Sequence, residues 1–281
     1  MKFRTEIEPL RTAPIDADAR IVLLGSCFAD NMGERLERCG FVVTRNPLGP
    51  LFNPASLAAA LERALDGMPY AMSDLTLRDG VYHLLDGAAR YASADADKLL
   101  EAANAGLDRL ASALRDADVV FLTLGTAYIY RLRENGHVVA NCHKLPAADF
   151  ERTRLDTAQT CALLDGVLQR LGAMGKRTVL TVSPVRHVAD GLHANNLSKA
   201  TLLLAVDSLD AEYFPAYEIV CDDLRDYRYY AADLKHPSDT AIEYIYEKFA
   251  DTYFTPATKE TVRARHAAYL RQAHRESINK L

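Results

Sequence analysis

Five short apolar runs, separated by stretches with helical spacing, constrain the fold of this chain more than any other feature. The runs cover residues 21–24, 41–44, 119–124, 177–182 and 216–221. Strands that are apolar throughout are typical of a parallel sheet, because crossover helices cover both of its faces. Right-handed crossovers then predict an α/β fold, a three-layer sandwich around a five-stranded parallel sheet.

Two other strand-like regions contain a turn signal. Asp79-Gly80 and Asn135-Gly136 each separate two strand-like stretches, and we expect β-hairpin insertions there, near the carboxyl edge of the sheet. His83, in the first hairpin, is expected at the surface. Helical spacing is found at residues 55–65, 95–114, 157–172, 194–213, 237–253 and 258–280. We expect residues 1–281 to form a single domain with a C-terminal helical extension from about residue 256. A separate small hairpin domain is the alternative.

Charge and cysteine content argue against several functional classes. The net charge of −5 over 281 residues provides no basic excess to attract nucleic acid. No apolar run approaches the roughly 18 residues of a membrane span, and the first residues lack the apolar core of a signal peptide. The five cysteines show no CxxC spacing, and no recognised zinc-ligand spacing occurs. We therefore expect a cytoplasmic protein with reduced thiols, no metal and no cofactor, and with neither a membrane nor a nucleic-acid partner. The oligomeric state stays open.

The first apolar run turns at Gly25-Ser26 into a stretch with helical spacing. Residues that follow a parallel strand lie beyond the carboxyl edge of the sheet, where ligands of open α/β sheets bind. The next helix offers free N–H groups and the positive end of its dipole. Ser26 is therefore a candidate nucleophile, and the alternative is a serine that only caps the helix. Cys27 is expected to pack in the core rather than to react.

The segment Asp233-Leu-Lys-His236-Pro237 contains a candidate acid and base. Pro237 disfavours the helical region for His236 and is itself favoured at the first helical position, so His236 is predicted directly before a helix. Asp233 can then accept a hydrogen bond from one imidazole nitrogen, which leaves the other nitrogen free to take a proton. Ser26, Asp233 and His236 are thus a candidate catalytic triad. A loop aspartate and a helix cap are the alternative.

Arg186 and His187 are candidate substrate contacts. They follow the fourth apolar run, where they could bind a carboxylate or phosphate. His143 and Lys144 follow the second hairpin, where a basic pair is usually a solvated rim.

The stretch Leu24-Gly-Ser-Cys-Phe-Ala29 resembles the signature after which the GSCFA family is named. Further stretches agree with that family in the same order: Asn46-Pro-Leu-Gly-Pro-Leu-Phe-Asn-Pro54, Leu124-Gly-Thr126, Asn141-Cys-His-Lys144, Ser183-Pro-Val-Arg-His187, Asn196-Leu-Ser-Lys-Ala200 and His236-Pro-Ser238. The resemblance covers about residues 20–255. One of these stretches alone would not be specific, but their occurrence in this order is.

The GSCFA family is similar to the SGNH (GDSL-like) hydrolases, which are esterases and acyl transferases on a flavodoxin-like sandwich. The resemblance implies that Ser26 is the nucleophile of their first sequence block, and that Asp233 and His236 are the DxxH of their last. It also implies small acyl esters of carbohydrates as the substrate class, and it makes His143 and Lys144 candidate substrate contacts, with a solvated rim as the alternative. No GxGxxG or Walker glycine loop follows the first run, which argues against a nucleotide-binding protein.

The chain departs from the SGNH pattern at the oxyanion hole. SGNH enzymes have a GxND motif after the third core strand, whereas Gly125-Thr-Ala-Tyr128 has Ala127 where the asparagine would stand. The expected substitutes are the backbone N–H groups of Ser26 and Gly49, with the side chain of Thr126 or Asn53. A catalytically weak or inactive binding module is the alternative function.

Overall fold

The computed structural model describes residues 4–8, 10, 12–189 and 191–278. Its strands are β1 (Arg20–Gly25), β2 (Val42–Arg45), β3 (Thr76–Arg78), β4 (Val81–His83), β5 (Ala92–Ser93), β6 (Val119–Leu124), β7 (Tyr128–Leu132), β8 (Val138–Val139), β9 (Phe150–Arg154), β10 (Arg177–Val182) and β11 (Glu212–Tyr213). Its helices are α1 (Cys27–Arg38), α2 (Pro54–Asp66), α3 (Ala96–Asp116), α4 (Thr157–Ala173), α5 (Gly191–Ser208), α6 (Ala216–Glu218), α7 (Asp239–Tyr253) and α8 (Pro256–Ile278).

The central sheet is parallel throughout and contains five strands in the order β11-β10-β6-β1-β2. Numbered along the chain, this is the order 2-1-3-4-5 of flavodoxin-like sheets. The first four predicted apolar runs coincide with β1, β2, β6 and β10 to within one residue. An α/β fold with a five-stranded parallel sheet is therefore confirmed.

The prediction of a strand at residues 216–221 is wrong. This stretch forms α6 and the start of a π-helical segment, Ile219–Leu224. Its buried side chains include Ala216, Ile219 and Val220. These stand at positions i, i+3 and i+4, which share one face of a helix, whereas in a strand the i+3 side chain would point to the opposite face from the other two.

The fifth strand is β11, inside the stretch that was predicted as the end of a helix. The predicted helix 194–213 ends at Ser208, and Glu212–Tyr213 then pairs with Val179 and Leu180 of β10. A strand of two residues at the edge of a sheet contains no apolar run. For this reason the hydrophobic pattern did not reveal it.

Helices cover both faces of the sheet, as the alternation of side chains along a strand requires. In β1, Val22 and Leu24 pack in the core formed with α2, α3, α4 and α5. Ile21 and Leu23 point to the other face and pack in the core formed with α1, α7 and the first part of α8. The three central strands β1, β6 and β10 place side chains in both cores, so their carboxyl ends lie between two layers of helices.

Two small antiparallel sheets follow β2 and β6 in the chain. One has the order β3-β4-β5 and the other β8-β7-β9. Asp79 and Gly80, between β3 and β4, both have positive φ (47° and 77°), which two-residue hairpin turns of type I′ require. No strand is predicted from the sequence at β9, which pairs with all of β7.

The C-terminal helix α8 packs against the central unit at its beginning. Val262 is buried, and the guanidinium of Arg265 donates to the carbonyl oxygen of Ala17 and to Asp18 at 2.5 Å and 2.6 Å. The helix was predicted to run to Lys280, which lies outside the described residues. Among the described helices, none combines the length and the apolar composition that crossing a membrane requires.

Candidate active site

Ser26 follows a backbone turn that requires glycine at the preceding position. Gly25 has a φ of +121°, and a Cβ atom there would lie 2.0 Å from the carbonyl oxygen of Thr123. The N–H of Ser26 donates to that same oxygen at 3.1 Å. Asn46 completes the turn, because its Oδ1 accepts from the N–H of Gly25 at 2.9 Å and its Nδ2 donates to the carbonyl of Ser26 at 3.4 Å. These contacts hold Ser26 at the carboxyl edge of the sheet.

The side chain of Ser26 caps α1. Its Oγ accepts a hydrogen bond from the N–H of Phe28 at 3.3 Å, and the residue is 3% exposed. The capping role that stood as the alternative for Ser26 is therefore present. A capping bond uses the oxygen as an acceptor and leaves the hydroxyl proton free for transfer, so capping and nucleophilic attack are compatible.

Asp233 and His236 form a closed, hydrogen-bonded turn. Oδ2 of Asp233 lies 2.6 Å from Nδ1 of His236, and Oδ1 accepts from the N–H groups of Lys235 and His236 at 2.9 Å and 3.0 Å. The backbone N–H of His236, its side chain and the N–H of Lys235 hold the pKa of Asp233 well below its usual range. With a carboxylate at Nδ1, the imidazole carries its proton there and presents a basic Nε2.

The prediction that His236 stands directly before a helix is wrong. The cap of α7 is Ser238, whose Oγ accepts from the N–H of Ala241. Pro237 instead pairs with Tyr230 in an isolated β-bridge. Serine satisfies a free N–H group of the helix better than histidine does, and for this reason the helix begins two residues later.

The Asp233–His236 turn contacts the segment that follows β10. The N–H of Arg186 donates to the carbonyl of Lys235 at 3.0 Å, and the N–H of Ala231 donates to that of His236 at 2.8 Å. The turn therefore lies at the same edge of the sheet as Ser26. In residues 12–189 and 191–278, no hydrogen bond joins Ser26 to His236.

The two backbone groups expected in an oxyanion hole already have partners. The N–H of Ser26 donates to Thr123, and the N–H of Gly49 donates to the carbonyl of Asn46 at 2.8 Å. The N–H of Cys27, at the first position of α1, makes no hydrogen bond to another residue in the described part of the chain. It is thus the unpaired backbone donor nearest to Ser26 along the chain.

The two expected side-chain substitutes are also engaged. Thr126 Oγ1 lies 3.0 Å from Ser198 Oγ and accepts from the N–H of Tyr128 at 3.1 Å. Asn53 caps α2, with its Oδ1 2.9 Å from the N–H of Ser56 and its Nδ2 2.9 Å from that residue's Oγ.

Ala127, which replaces the asparagine of the GxND motif, is fully buried, and its N–H donates to Ser198 Oγ at 2.8 Å. Gly125 lies against Ser26, because a Cβ on Gly125 would be 3.4 Å from the Cβ of Ser26 and 2.8 Å from that of Phe52. Gly125, directly after β6, thus packs closely against Ser26 because it has no side chain.

His143 is buried and paired with His83 rather than placed on a solvated rim. The two Nδ1 atoms lie 3.4 Å apart, and Nε2 of His143 lies 3.3 Å from the carbonyl oxygen of Gly87. His143 and Lys144 both have left-handed backbone conformations, with φ of 49° and 61°. Burial lowers the pKa of both histidines. The expectation that His83 lies at the surface is wrong, because the loop after β8 covers it.

Arg186 lies over two aromatic rings beside the Asp233–His236 turn. Its guanidinium carbon is 4.1 Å from the ring centre of Tyr230 and 5.0 Å from that of Tyr227. The N–H of His187 donates to Asn195 Oδ1 at 2.9 Å, which joins the segment after β10 to α5. Arg186 and His187 thus stand at the carboxyl edge, whereas His143 and Lys144 belong to the loop after β8.

Lys199 is a buried cation at this edge that the sequence pattern did not single out. It is 1% exposed, and its Nζ donates to the carbonyl oxygens of Gly125 and Ser183, each at 2.6 Å. A lysine within a helix is ordinarily solvated. The one available signal was its place in Asn196-Leu-Ser-Lys-Ala200, among the stretches that carry the family resemblance.

A cavity of about 610 Å³ lies beside the edge strand β2, and its walls do not include Ser26, Asp233 or His236. Arginines and acidic residues both line it, among them Arg90, Arg109 and Asp30. In the described part of the chain, no group of three or more His, Cys, Asp or Glu side chains is arranged to hold a metal ion.

The fold and the site define a class of α/β proteins in which polar groups gather at the carboxyl edge of a flavodoxin-like sheet. The model of the GSCFA family matches residues 20–249. The chain therefore belongs to the GSCFA family. No curated protein matches the sequence.

One similar solved structure is that of the psychrotrophic esterase EstA from Pseudoalteromonas sp., inhibited by monoethylphosphonate. The two chains are 10% identical, and the match covers 84% of this chain and 96% of the esterase, with a TM-score of 0.41.

Proposed function

We propose that this protein is a serine hydrolase of the SGNH type, an esterase or acyl transferase that acts through Ser26, His236 and Asp233. The observation that carries the proposal is the 2.6 Å contact between Asp233 Oδ2 and His236 Nδ1, in a turn at the same sheet edge as Ser26. An imidazole oriented by a carboxylate at Nδ1 has its Nε2 ready to take a proton from a serine hydroxyl.

In the proposed reaction, His236 takes the hydroxyl proton of Ser26 as Oγ attacks an ester carbonyl. The proton then passes from His236 to the leaving alkoxide, and an acyl-serine remains. Water or an acceptor hydroxyl, deprotonated in turn by His236, releases the acyl group. The resemblance to SGNH hydrolases implies a small acyl ester of a carbohydrate as substrate, and no cofactor is required. The proposed substrate contacts are Arg186 and His187 and, in the loop after β8, His143 and Lys144.

The N–H of Cys27 is the proposed main donor to the oxyanion, since it makes no hydrogen bond to another of the described residues and stands at the positive end of α1. Four other groups were expected in the oxyanion hole, and each can bind the oxyanion only if it gives up its present hydrogen bond: those of Ser26, Gly49, Thr126 and Asn53. Loss of one such donor costs roughly 100- to 1000-fold in rate. We therefore expect a slower enzyme than one with a complete GxND motif.

Labelling with a fluorophosphonate tests this proposal. Ser26→Ala and His236→Ala are expected to abolish labelling and the turnover of p-nitrophenyl acetate. Asp95→Ala is the matched control for the lost helix cap, because Asp95 caps α3 by accepting from the N–H of Lys98 at 3.1 Å. It should lose similar stability, about 1 kcal/mol, and keep full labelling. A folded wild-type protein without Ser26-dependent labelling contradicts the triad.

A binding module without catalysis is the second candidate. Two observations favour it: the four oxyanion groups expected from the sequence are already paired, and no hydrogen bond joins Ser26 to His236 in the described residues. Turnover that depends on both residues excludes this candidate. Saturable binding of an acylated sugar that survives Ser26→Ala, without turnover by the wild type, supports it.

A further inference from the structure

Lys199 joins the carboxyl ends of two adjacent strands. Its Nζ donates to the carbonyl of Gly125, directly after β6, and to that of Ser183, directly after β10. Leu124 and Val182 are register partners in these strands. The ammonium therefore lies between the strand ends, one strand away from the end of β1, where Ser26 stands.

Gly125 connects Lys199 with Ser26, because it contacts both residues. Gly125 accepts from Lys199 through its carbonyl oxygen and approaches the Cβ of Ser26 through its Cα. The N–H of Gly125 donates to the carbonyl of Phe52 at 2.8 Å, so that every polar backbone group of this glycine is held. A change at Lys199 therefore reaches the wall behind Ser26.

In the described part of the chain, no carboxylate forms an ion pair with Lys199. The titratable groups that face it are the thiols of Cys27, at the start of α1, and Cys221, in the π-helical segment, and its Nζ lies 5.9 Å from the ring centre of Tyr217 in α6. Burial lowers the pKa of Lys199 to about 7.

A buried ammonium without an anionic partner is costly, and two carbonyl oxygens compensate only part of that cost. A neutral hydrogen-bond donor would be sufficient to connect the two strand ends. A positive charge at this edge has an additional effect, because in a site of low dielectric it favours negative charge that forms nearby. The oxyanion formed after attack by Ser26 would be such a charge.

We propose that Lys199 is a positioning residue of the acyl transfer, which holds Gly125 behind Ser26 and supplies a buried positive charge that stabilises the oxyanion. This inference rests on the proposed function. It explains how the site functions with Ala127 in place of the GxND asparagine. The protonated amine is the active form, so the reaction slows as Lys199 loses its proton.

The inference predicts that the rate of Ser26 labelling falls at alkaline pH, which gives the pH profile an alkaline limb. A general base does not slow a reaction as the pH rises, so a fall in rate at alkaline pH comes from another group. Deprotonation of Lys199 lowers the rate above neutral pH. The thiols of Cys27 and Cys221 do not account for such a limb, because burial raises the pKa of both.

The experiment measures the second-order rate of Ser26 labelling by a fluorophosphonate from pH 5 to 9. The wild type should show the alkaline limb, and Lys199→Arg, which stays charged, should lose it or shift it upward by more than about one pH unit. Lys199→Met should label about 10- to 100-fold more slowly at the optimum and show no alkaline limb. Lys199→Gln is the second neutral variant if methionine prevents folding.

Lys176→Met is the matched control, since Lys176 also donates to two carbonyls, those of Arg115 and Ala117, at 2.6 Å and 2.9 Å. Lys176 lies just before β10, at the opposite edge of the sheet from Ser26. Its loss should leave the labelling rate and its pH profile unchanged.

Three results overturn the inference. If the labelling rate of the wild type stays constant up to pH 9, this alone contradicts the inference, before any variant is measured. If the neutral variants have a lower melting temperature but label at the wild-type rate, Lys199 has only a structural role. The proposed function then still stands, provided that labelling depends on Ser26 and His236. Absence of all Ser26-dependent labelling removes the proposed function and this inference together.

Discussion

Asp233 Oδ2 lies 2.6 Å from Nδ1 of His236, and the other carboxylate oxygen of Asp233 accepts two N–H groups of the same turn. One side chain thus shapes the turn and orients the imidazole. Asp233→Asn should lower turnover at least about 100-fold, because an amide that donates to Nδ1 stabilises the wrong tautomer. Rates of p-nitrophenyl acetate hydrolysis measure this loss.

Asp226→Asn is the control for that prediction. Asp226 caps the 3₁₀ turn Tyr227–Tyr229 in a similar way, by accepting from the N–H of Arg228 at 2.9 Å, but no hydrogen bond joins it to a histidine of the described chain. Its activity should stay within about twofold of the wild type, as expected for a surface substitution away from the chemistry. Equal losses in both variants would mean that Asp233 acts only on the loop.

Cys27→Pro tests the proposed oxyanion donor without removing a side chain that the reaction uses. Proline lacks the N–H but is favoured at the first position of a helix, and Ser26, with φ −70° and ψ 170°, already has the backbone that a following proline prefers. Labelling of Ser26 should fall roughly 100- to 1000-fold.

Cys27→Ala keeps the N–H and removes the thiol, and it should label at nearly the wild-type rate. This control also tests the thiol as nucleophile. Burial raises the pKa of Cys27 above its ordinary value of 9.0, so the thiol stays protonated and unreactive near neutral pH. An alanine variant that loses activity would transfer the nucleophilic role from Ser26 to Cys27.

Gly25→Ala should cost about 2 to 5 kcal/mol of unfolding free energy, because a Cβ atom 2.0 Å from the Thr123 oxygen adds to the strain of a φ of +121°. Gly67→Ala is the control. Gly67 also has positive φ (62°), but apart from its chain neighbours no heavy atom of the described residues lies within 4 Å of the added Cβ, so its cost should be about 1 kcal/mol. Urea unfolding of the two variants measures the difference, and equal losses would contradict the close approach.

The His83–His143 pair should make the protein less stable in acid. The pKa of each histidine is lowered in the folded state from its ordinary value of 6.5. Below pH 6.5 the unfolded chain therefore binds more protons than the folded one, and the unfolding free energy falls as the pH falls. His83→Asn retains a polar side chain without a titratable group and should flatten this part of the profile.

His137 provides the opposite case for comparison. Its Nε2 lies 2.6 Å from Asp86 Oδ1, and this contact raises the pKa of His137 above 6.5. Its stabilising effect is present below pH 6.5 and is lost as the pH rises through the raised pKa. His137→Asn should therefore lower the unfolding free energy in acid and have little effect in alkali. If the unfolding free energy of His83→Asn and of His137→Asn changes with pH to the same extent, the pH dependence comes from other groups.

Much of the scaffold could be predicted from local pattern. The apolar runs of β1, β2, β6 and β10 occur where they were expected, because a strand buried on both faces cannot tolerate polar side chains. The same reasoning failed for residues 216–221. A short apolar stretch with buried positions at i, i+3 and i+4 is compatible with both structures until neighbouring elements select one.

The site was predictable in part, and for a different reason. Ser26 could be recognised as a residue between a strand and a helix, and Asp233 and His236 are three residues apart, so their contact is local. The pairing of His83 with His143, 60 residues away, and the contact of Lys199 with Gly125, 74 residues away, depend on how separate segments pack.

By itself, the amino-acid sequence determined the parallel sheet, the glycine turn before Ser26 and the Asp233–His236 segment, because each depends on neighbouring residues. Only the tertiary structure decided that β11 completes the sheet and that the groups expected at the oxyanion hole are already paired. Tertiary structure also decided that Lys199 is buried between the ends of β6 and β10, where it contacts Gly125. Burial and long-range hydrogen bonding are properties of packed elements, and no local pattern encodes which distant carbonyl a buried donor will meet.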